Sequence, residues 1–150
     1  MPPPRVLTIA KISIIATRFA ETLAFYQRLG LDIPVVIGEP SETRHAPAQN
    51  GETDFAVDND ALARLYTAEW RGPHPGHSVL LTAQCASRSD VDTLYHEIVG
   101  AGYVAIQPPY DAFWGARFAI VADPEGNPVG LESPADAAYR LWPPTPSPDP

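Results

Sequence analysis

The sequence predicts a mixed α+β fold in which a βαβββ unit occurs twice and forms a curved mixed sheet around a cleft. Three observations support this fold class. Short β-branched segments alternate with two amphipathic helical segments. The same order of elements occurs in both halves of the 150-residue chain. Most interior prolines fall where the hydrophobic pattern breaks, as expected of residues that separate short elements.

The first half begins with a β-branched strand over residues 9–16. A helix follows, with Thr17 as its N-cap and Gly30 at its C-terminal end. Further strands are predicted over residues 33–37, 43–48 and 53–58, and Asn50-Gly51 is a hairpin turn between the last two. Residues 60–70 are expected to form either a short helix or an irregular covering segment.

The second half repeats this order. A strand over residues 78–86 leads into a helix whose capping box is Ser87 with Asp90, and which ends at Gly100 and Gly102. A strand over residues 103–107 follows. Strands over 115–122 and 128–132 then form a hairpin around the turn of residues 123–127.

The two halves also align locally, since LAFYQRLGLDI (23–33) and VDTLYHEIVGAGYVA (91–105) both place an aromatic residue in the helix and glycine just after it. This similarity predicts an internal duplication; two unrelated helix–strand units are the alternative. The expected organisation is a disordered tail over 1–5, a domain over 6–134 with modules at about 6–70 and 76–134, and a proline-rich tail over 135–150.

Strand alternation places different residues on the two faces of the predicted sheet. Leu80, Thr82 and Gln84 share the face opposite the helix in the second module, and Lys11 and Ser13 share it in the first. This mixture of apolar and polar side chains on a concave face is typical of a small-molecule site.

Composition excludes several classes of protein. The formal net charge of −8 disfavours nucleic acid, and no apolar run is long enough to span a membrane. The single cysteine cannot form a disulfide within the chain, and no secretion signal is recognisable at the N-terminus. We therefore expect a cytoplasmic protein whose ligand is neutral or cationic.

Three features together resemble the vicinal oxygen chelate superfamily, which includes glyoxalases, extradiol dioxygenases and the fosfomycin- and bleomycin-resistance proteins. They are the run LAFYQRLGLDIP, the run FAIVADPEGNPVGL (118–131) and the two-module order. The runs AEWRGPHPGH and PPYDAFWGARFAIVADPEGN are most similar to the metal-free, mitomycin-binding branch. That resemblance implies a homodimer, with or without exchange of modules between chains, that holds an aromatic drug by stacking.

Metal-using members of the superfamily carry His or Gln in the first strand of each module and Glu near the end of its last strand. This sequence has Lys11 and Ser13 in the first strand and Gly130 at the usual Glu position. Gln84 and Glu132 are only weak candidate ligands. We therefore expect no metal and no other cofactor.

The candidate ligand-binding residues are mostly aromatic: Trp114, Phe113, Tyr110, Trp70, His45, Phe55 and Lys11. Trp114 is either a stacking platform or a core or interface residue, and Trp70 is either a lid residue or a plug between modules. Asp54 and Asp58 are expected to belong to a solvated acidic group; attraction of a cationic ligand is the alternative. Cys85 is expected to be a buried apolar residue, and we predict no catalytic residue.

Three functions are compatible with these features. The first is a metal-independent homodimeric binding protein that sequesters a planar or cationic antibiotic. The second is a divergent glyoxalase-like lyase, isomerase or dioxygenase that uses Gln84 and Glu132. The third is a non-catalytic metabolite sensor. In the C-terminal tail, Tyr139, Leu141 and Trp142 are candidate anchors on a partner subunit.

Overall fold

One curved, seven-stranded mixed sheet organises the molecule in a computed structural model that describes residues 7–28, 31–49, 53–68, 70, 79–122 and 127–150. The elements are β1 (Thr8–Ala16), α1 (Phe19–Arg28), β2 (His45–Pro47), β3 (Asp54–Asn59), α2 (Asp60–Tyr66), β4 (Val79–Gln84), α3 (Arg88–Gly100), β5 (Ala105–Asp111), β6 (Arg117–Ala122) and β7 (Pro128–Glu132). A 3₁₀ turn, Ala137–Tyr139, follows β7. The predicted α+β class with a curved mixed sheet is confirmed.

The strand order β2-β3-β1-β4-β7-β6-β5 shows how the two halves meet. The first strands of the two halves, β1 and β4, pair antiparallel at the centre of the sheet. Each first strand also pairs in parallel with the last strand of its own half, β1 with β3 and β4 with β7. The two halves therefore join edge to edge within one chain, and both contribute to one concave face.

The second half has the predicted βαβββ order, whereas the first half departs from it. Residues 33–37 were expected to form a strand, but only Ile37 makes a bridge, to His45. Pro34 has no N–H for a ladder, and the chain turns at Gly38, whose φ is +102°. Val35 remains 56% exposed. The segment is thus extended but lacks a partner strand along its length.

Helices cover both faces of the sheet. On one face, α1 packs against β1, β2 and β3 through Phe19 and Leu23, and α3 packs against β4, β6 and β7 through Val91 and Leu94. On the concave face, α2 packs through Leu62, Ala63 and Tyr66 against Ile15, Leu80, Tyr110 and Phe118. Residues 60–66 are therefore a helix, and this helix fills part of the cleft.

Helix starts follow the expected chemistry with one difference. Ser87 caps α3 by accepting a hydrogen bond from the Asp90 amide, as predicted. For α1, the Thr22 amide donates to the Arg18 carbonyl, so Arg18 rather than Thr17 precedes the first helical turn. Asn59 caps α2 through its side-chain oxygen and the Leu62 amide.

Several predicted features lie outside the described residues: the tail over 1–5, Gly30, the Asn50-Gly51 turn, the linker after Trp70 and most of the turn over 123–127. Within the described ranges, no helix is long and apolar enough to cross a membrane. The C-terminal residues contact their own chain, because the Leu141 amide donates to the Phe113 carbonyl over 2.9 Å.

Candidate functional site

A cavity of about 300 Å³ opens on the concave face beside α2. Both halves of the chain contribute to its wall. Its described lining consists of Lys11, Ser13, Ile37, Gly38, Glu42, Thr43, His45, Asp58, Leu62, Tyr66, Leu80, Thr82, Phe113, Trp114, Phe118, Glu132, Trp142 and Pro144. The wall is mainly apolar and aromatic, with a few buried polar groups, as is common for small-molecule sites.

Trp114 lies in the tight turn between β5 and β6. The following residue, Gly115, has φ +99°, and a Cβ there would lie 2.4 Å from the Asp136 carbonyl oxygen, so the turn requires glycine. The indole Nε1 donates to Glu132 Oε1 over 2.7 Å. Edge-on contacts with Phe113 and Phe118, both with ring centroids 5.1 Å away, hold the ring further. Trp114 is therefore fixed in the cavity wall.

Glu132 is the group that orients Trp114. It ends β7, opposite Gln84 of β4, and its side chain is buried. Besides the indole, it faces the Lys11 ammonium, with Nζ 3.4 Å from Oε1. Because the carboxylate already has a hydrogen-bond donor and a cation as partners, its burial is compensated within the chain.

His45 and Asp58 form a second fixed pair in the wall. They lie opposite each other in the β2–β3 ladder. The His45 Nδ1 is 2.6 Å from Asp58 Oδ1, and the Asp58 side chain is only 5% exposed. A carboxylate can only accept, so Nδ1 carries the proton and Nε2 is the nitrogen left for the cavity. The ring can stack on a ligand or accept a hydrogen bond.

The position of Asp58 corrects the sequence interpretation. It was expected to lie in a solvated acidic group, whereas the structure buries it against His45. The period-2 pattern gives the face of each strand but not its pairing register. Only the register places the carboxylate beside the imidazole, so the sequence offered no partner for His45.

Tyr66 is a cavity residue that the sequence analysis missed. It is 6% exposed, and its hydroxyl has no hydrogen-bond partner of normal geometry in the described part of the chain. Burial raises the pKa of Tyr66 well above its usual value, and the nearby Asp58 carboxylate raises it further. The hydroxyl therefore stays protonated at neutral pH and can donate to a ligand. Tyr66 lies four residues after Leu62, and this helical spacing was the only indication in the sequence that its side chain faces inward.

The structure brings Lys11, His45, Phe113 and Trp114 together, but other candidates lie elsewhere. Tyr110 is in the core and donates to the Tyr66 carbonyl over 3.1 Å; burial, followed by the charge of Glu132, raises its pKa. Phe55 packs against Tyr26 on the α1 side of the sheet. Trp70 packs against the core cluster around α2. None of the three lines this cavity, but Phe55 lines a second one together with Lys11 and His45.

The residues present do not fit the metal site of the metal-using members. At Gly130, a Cβ would lie 2.8 Å from Thr82 Oγ1 and 3.0 Å from Phe118 Cε2, so there is no room for a Glu side chain. The Gln84 amide is bonded to the Cys85 and Glu132 carbonyls instead of facing the cavity. Among the residues that the structure describes, no three His, Cys, Asp or Glu side chains are grouped to hold a metal ion.

The C-terminal segment also contributes to the site. Trp142 and Pro144 lie in the cavity wall, although the sequence placed both in a proline-rich tail outside the domain. Tyr139, a predicted anchor on a partner subunit, packs on Arg88 of its own chain, whose guanidinium carbon is 3.8 Å from the ring centroid.

Comparisons with known proteins agree with this architecture. The family model of the glyoxalase/bleomycin resistance protein/dioxygenase superfamily matches residues 8–131. No curated protein matches the sequence.

Solved structures resemble the fold at low sequence identity. A hypothetical protein from Bacillus halodurans C-125 has a TM-score of 0.61 at 17% identity, covering 88% of this chain and 97% of that one. The methylmalonyl-CoA epimerase from Mycobacterium tuberculosis has a TM-score of 0.59 at 14% identity, covering 92% and 95%. A superfamily member from Vibrio splendidus 12B01 has a TM-score of 0.56 at 11% identity, covering 85% and 99%.

Proposed function

Since the chain belongs to the glyoxalase/bleomycin resistance protein/dioxygenase superfamily, we propose that it binds a planar aromatic small molecule and sequesters it without metal chemistry. The ligand class in this proposal is an antibiotic or a related metabolite, neutral or cationic. The family includes enzymes and resistance proteins, so the residues of the cavity have to decide between these functions.

The fixed indole of Trp114 is the observation that carries the proposal. A ring held by Glu132 and by two edge-on aromatic neighbours cannot turn away, so it presents its surface to a ligand at little entropic cost. His45, held by Asp58, contributes a second flat ring. The two residues come from opposite edges of the curved sheet, since β2 is one outer strand and the turn after β5 is at the other. Each stacking contact adds roughly 0.5–1.5 kcal/mol beyond area burial.

Charge favours a cationic ligand over an anionic one. The net charge of the chain is −8, and Asp58 and Glu132 place carboxylates in the cavity wall. An anionic ligand would meet both the long-range field and these buried oxygens. The Lys11 ammonium neutralises part of the negative charge of Glu132. A neutral ligand is therefore also compatible with the cavity.

The antibiotic class, a cytoplasmic location and a homodimer complete the proposal. They draw on the similarity of residues 108–127 to the drug-binding branch and on the acidic composition with one cysteine. A metal-dependent enzyme is the alternative. The structural similarity to an epimerase supports the fold of such an enzyme, but the described residues do not supply its group of metal ligands. The Gly130 contacts and the bonded Gln84 amide favour binding without metal.

Titration with planar compounds tests this function. Proflavine, a planar cation, and mitomycin- and bleomycin-type compounds are added to the protein while tryptophan fluorescence and ligand anisotropy are measured. We expect at least one planar compound to bind with micromolar affinity and Trp114→Ala to weaken that binding at least about tenfold, because truncation of a central aromatic contact typically costs about 2 kcal/mol or more.

Trp70→Phe is the matched control, because Trp70 lies outside the cavity and phenylalanine keeps most of its packing. Equal affinity of wild type and Trp114→Ala would show that Trp114 is not the platform. Stoichiometric Zn, Ni, Fe or Mn in the purified protein would overturn metal-independent binding.

A further inference from the structure

The proline-rich C-terminal segment forms part of the cavity wall. Residues 141–148, called the C-terminal strap below, follow the 3₁₀ turn and contribute Trp142 and Pro144 to the wall. The remaining described lining comes from the sheet, from α2 and from the loops between them. Of the described lining, only the strap lies C-terminal to the last strand, β7.

Both ends of the strap are attached to its own chain. At its start, the Leu141 amide donates to the Phe113 carbonyl over 2.9 Å. At its end, the Ser147 amide donates to the Leu65 carbonyl of α2 over 2.5 Å. The fully buried Gln107 side chain of β5 donates to the Pro148 carbonyl over 2.9 Å. The strap therefore links the aromatic turn of the second half to the cavity helix of the first.

The start of the strap is fixed beside Trp114. Arg140 forms an antiparallel bridge with Trp114 itself. The preceding residue, Tyr139, packs under the Arg88 guanidinium. These contacts set the direction in which the chain leaves the aromatic turn, so the position of Trp142 relative to Trp114 is defined by the backbone.

Trp142 is the largest exposed apolar group of the described residues at this site. Its ring borders the cavity, yet it is 81% exposed. An indole has a large apolar surface, and covering that surface lowers the free energy. Pro143, Pro144 and Pro146 surround it with a stiff backbone that loses little entropy on binding. A ligand in the cavity would cover this ring without having to order the strap.

We propose that the C-terminal strap is a wall of the ligand site and that Trp142 is a second tryptophan contact, covering the ligand on its solvent side. This inference rests on the proposed binding function and adds a requirement to it. The ligand has to contact both Trp114 and Trp142, so a planar ligand of several fused rings is preferred over a single ring. A contact on the solvent side of the ligand acts mainly on retention, because it has to break before the ligand leaves.

Proflavine binding to the full-length protein tests the wall. Trp142→Ala, Trp142→Phe and the control Tyr103→Ala, which removes an exposed aromatic ring outside the cavity lining, are compared with wild type by anisotropy and stopped flow. We expect Trp142→Ala to raise Kd about five- to tenfold, chiefly through faster dissociation. Trp142→Phe should recover most of the affinity, and Tyr103→Ala should match wild type. The high exposure of Trp142 makes misfolding of these variants a minor concern.

Hydrogen exchange of the ligand-free protein provides a measurement that does not depend on binding. The Leu141 and Ser147 amides should exchange more slowly than in an unstructured peptide, because both are hydrogen-bonded. Exchange of both amides at the unstructured rate would overturn the docked strap whatever the ligand does.

The outcomes separate this inference from the proposed function. If Trp114→Ala weakens proflavine binding and Trp142→Ala does not, the ligand contact of Trp142 is wrong and the binding function stands. If wild type binds no planar compound while the two amides are protected, the binding function and the Trp142 contact are both wrong. If Trp142→Ala instead converts a dimer into a monomer in sedimentation velocity, the ring is a subunit contact and the ligand role is overturned.

Discussion

At the scale of single residues, Gly130 and Glu132 explain why this cavity differs from a metal site. A Cβ at Gly130 would meet Thr82 and Phe118. The space from which the side chain of a metal-binding carboxylate would extend is therefore already filled. Two residues further, Glu132 points into the cavity but is held by Trp114 and Lys11. β7 thus lacks the metal-ligating residue of the metal-using members and carries a carboxylate that fixes an aromatic ring.

Gly130→Ala should destabilise the protein by about 1–3 kcal/mol, because an added methyl group in a packed interior forces its neighbours to move. Its Cβ would lie 2.8 Å from Thr82 Oγ1. The measurement is the urea midpoint at unchanged m-value. Gly100→Ala is the matched control, since nothing lies within 4 Å of that Cβ and alanine is favoured at a helical position. Equal midpoints for both variants would contradict the tight packing at Gly130.

The sequence predicted part of the site at this scale. Strand alternation placed Lys11, Ser13, Leu80 and Thr82 on the cavity face, because the face depends only on residue parity. It failed for Gln84, whose amide folds back to backbone carbonyls. It also placed Tyr110 in the site, although the core between the two halves buries that ring. The odd or even position of a residue in a strand gives the sheet face to which it points. Whether the residue is buried there depends on which other elements pack on that face.

At the scale of elements, α2 is the feature that turns an open cleft into a cavity. Asn59 starts it and also ties down the loop beside it. The Asn59 Oδ1 accepts from the Leu62 and Arg44 amides, over 3.0 and 2.9 Å. Its Nδ2 donates to the Glu42 carbonyl over 2.8 Å. Glu42 and Thr43 of that loop line the cavity, so one side chain connects the helix to the cavity rim.

Asn59→Ala should cost roughly 2–3 kcal/mol of unfolding free energy, because it removes an N-cap and leaves buried backbone groups without partners. Ser87→Ala, which removes the cap of α3 alone, should cost about 1 kcal/mol. Urea midpoints of the two variants give the comparison. Asn59→Ala should also loosen the cavity rim and weaken proflavine binding, whereas Ser87→Ala should not. A smaller loss for Asn59→Ala than for Ser87→Ala would contradict the double role of Asn59.

Elements were predicted best where capping and periodicity agree. The helix of residues 88–100 has a cap, an apolar stripe and glycines at its end, and the structure has it at the expected place. Residues 33–37 have the β-branched composition of a strand but lack a neighbour to pair with. Strand formation requires a partner, and the sequence of the segment alone does not contain that information.

At the scale of the whole molecule, the two halves are joined by the central β1–β4 pair and by contacts across the cleft. One of these contacts is the hydrogen bond from the Tyr110 hydroxyl, in the second half, to the Tyr66 carbonyl, in the first. Both hydroxyl groups are buried, and burial raises both pKa values above the usual 10.0. The junction of the halves therefore requires two neutral phenols.

Stability should fall at alkaline pH because of these two groups. Their folded pKa values are raised, so the stability they contribute is complete below about pH 10, the pKa in the unfolded chain, and is lost as the pH rises above it. Urea midpoints measured from pH 8 to 11 should decline above pH 10. Tyr66→Phe should flatten this decline, whereas Tyr103→Phe should follow wild type. An equally steep decline in Tyr66→Phe would contradict the assignment to Tyr66.

The curved mixed sheet was predictable for the molecule as a whole, but the course of the C-terminus was not. The repeat of helix and glycine positions in both halves indicated the architecture. Proline-rich composition indicated an extended tail, and an extended chain carries no information about the surface on which it lies. The hydrogen bonds of Leu141 and Ser147 could therefore not be predicted from the sequence.

The strand order places β2 and β5 at the two outer edges of the sheet, and the Ile37–His45 bridge covers the start of β2. β2 is only three residues long and ends in Pro47, and β5 contains Pro108 and Pro109 where its register with β6 shifts. Proline lacks the N–H that an incoming strand would need, and an irregular edge is a poor template for it. Both borders of the sheet thus resist open-ended growth by strand addition. Aggregation of folded molecules through the edges of their sheets is therefore disfavoured.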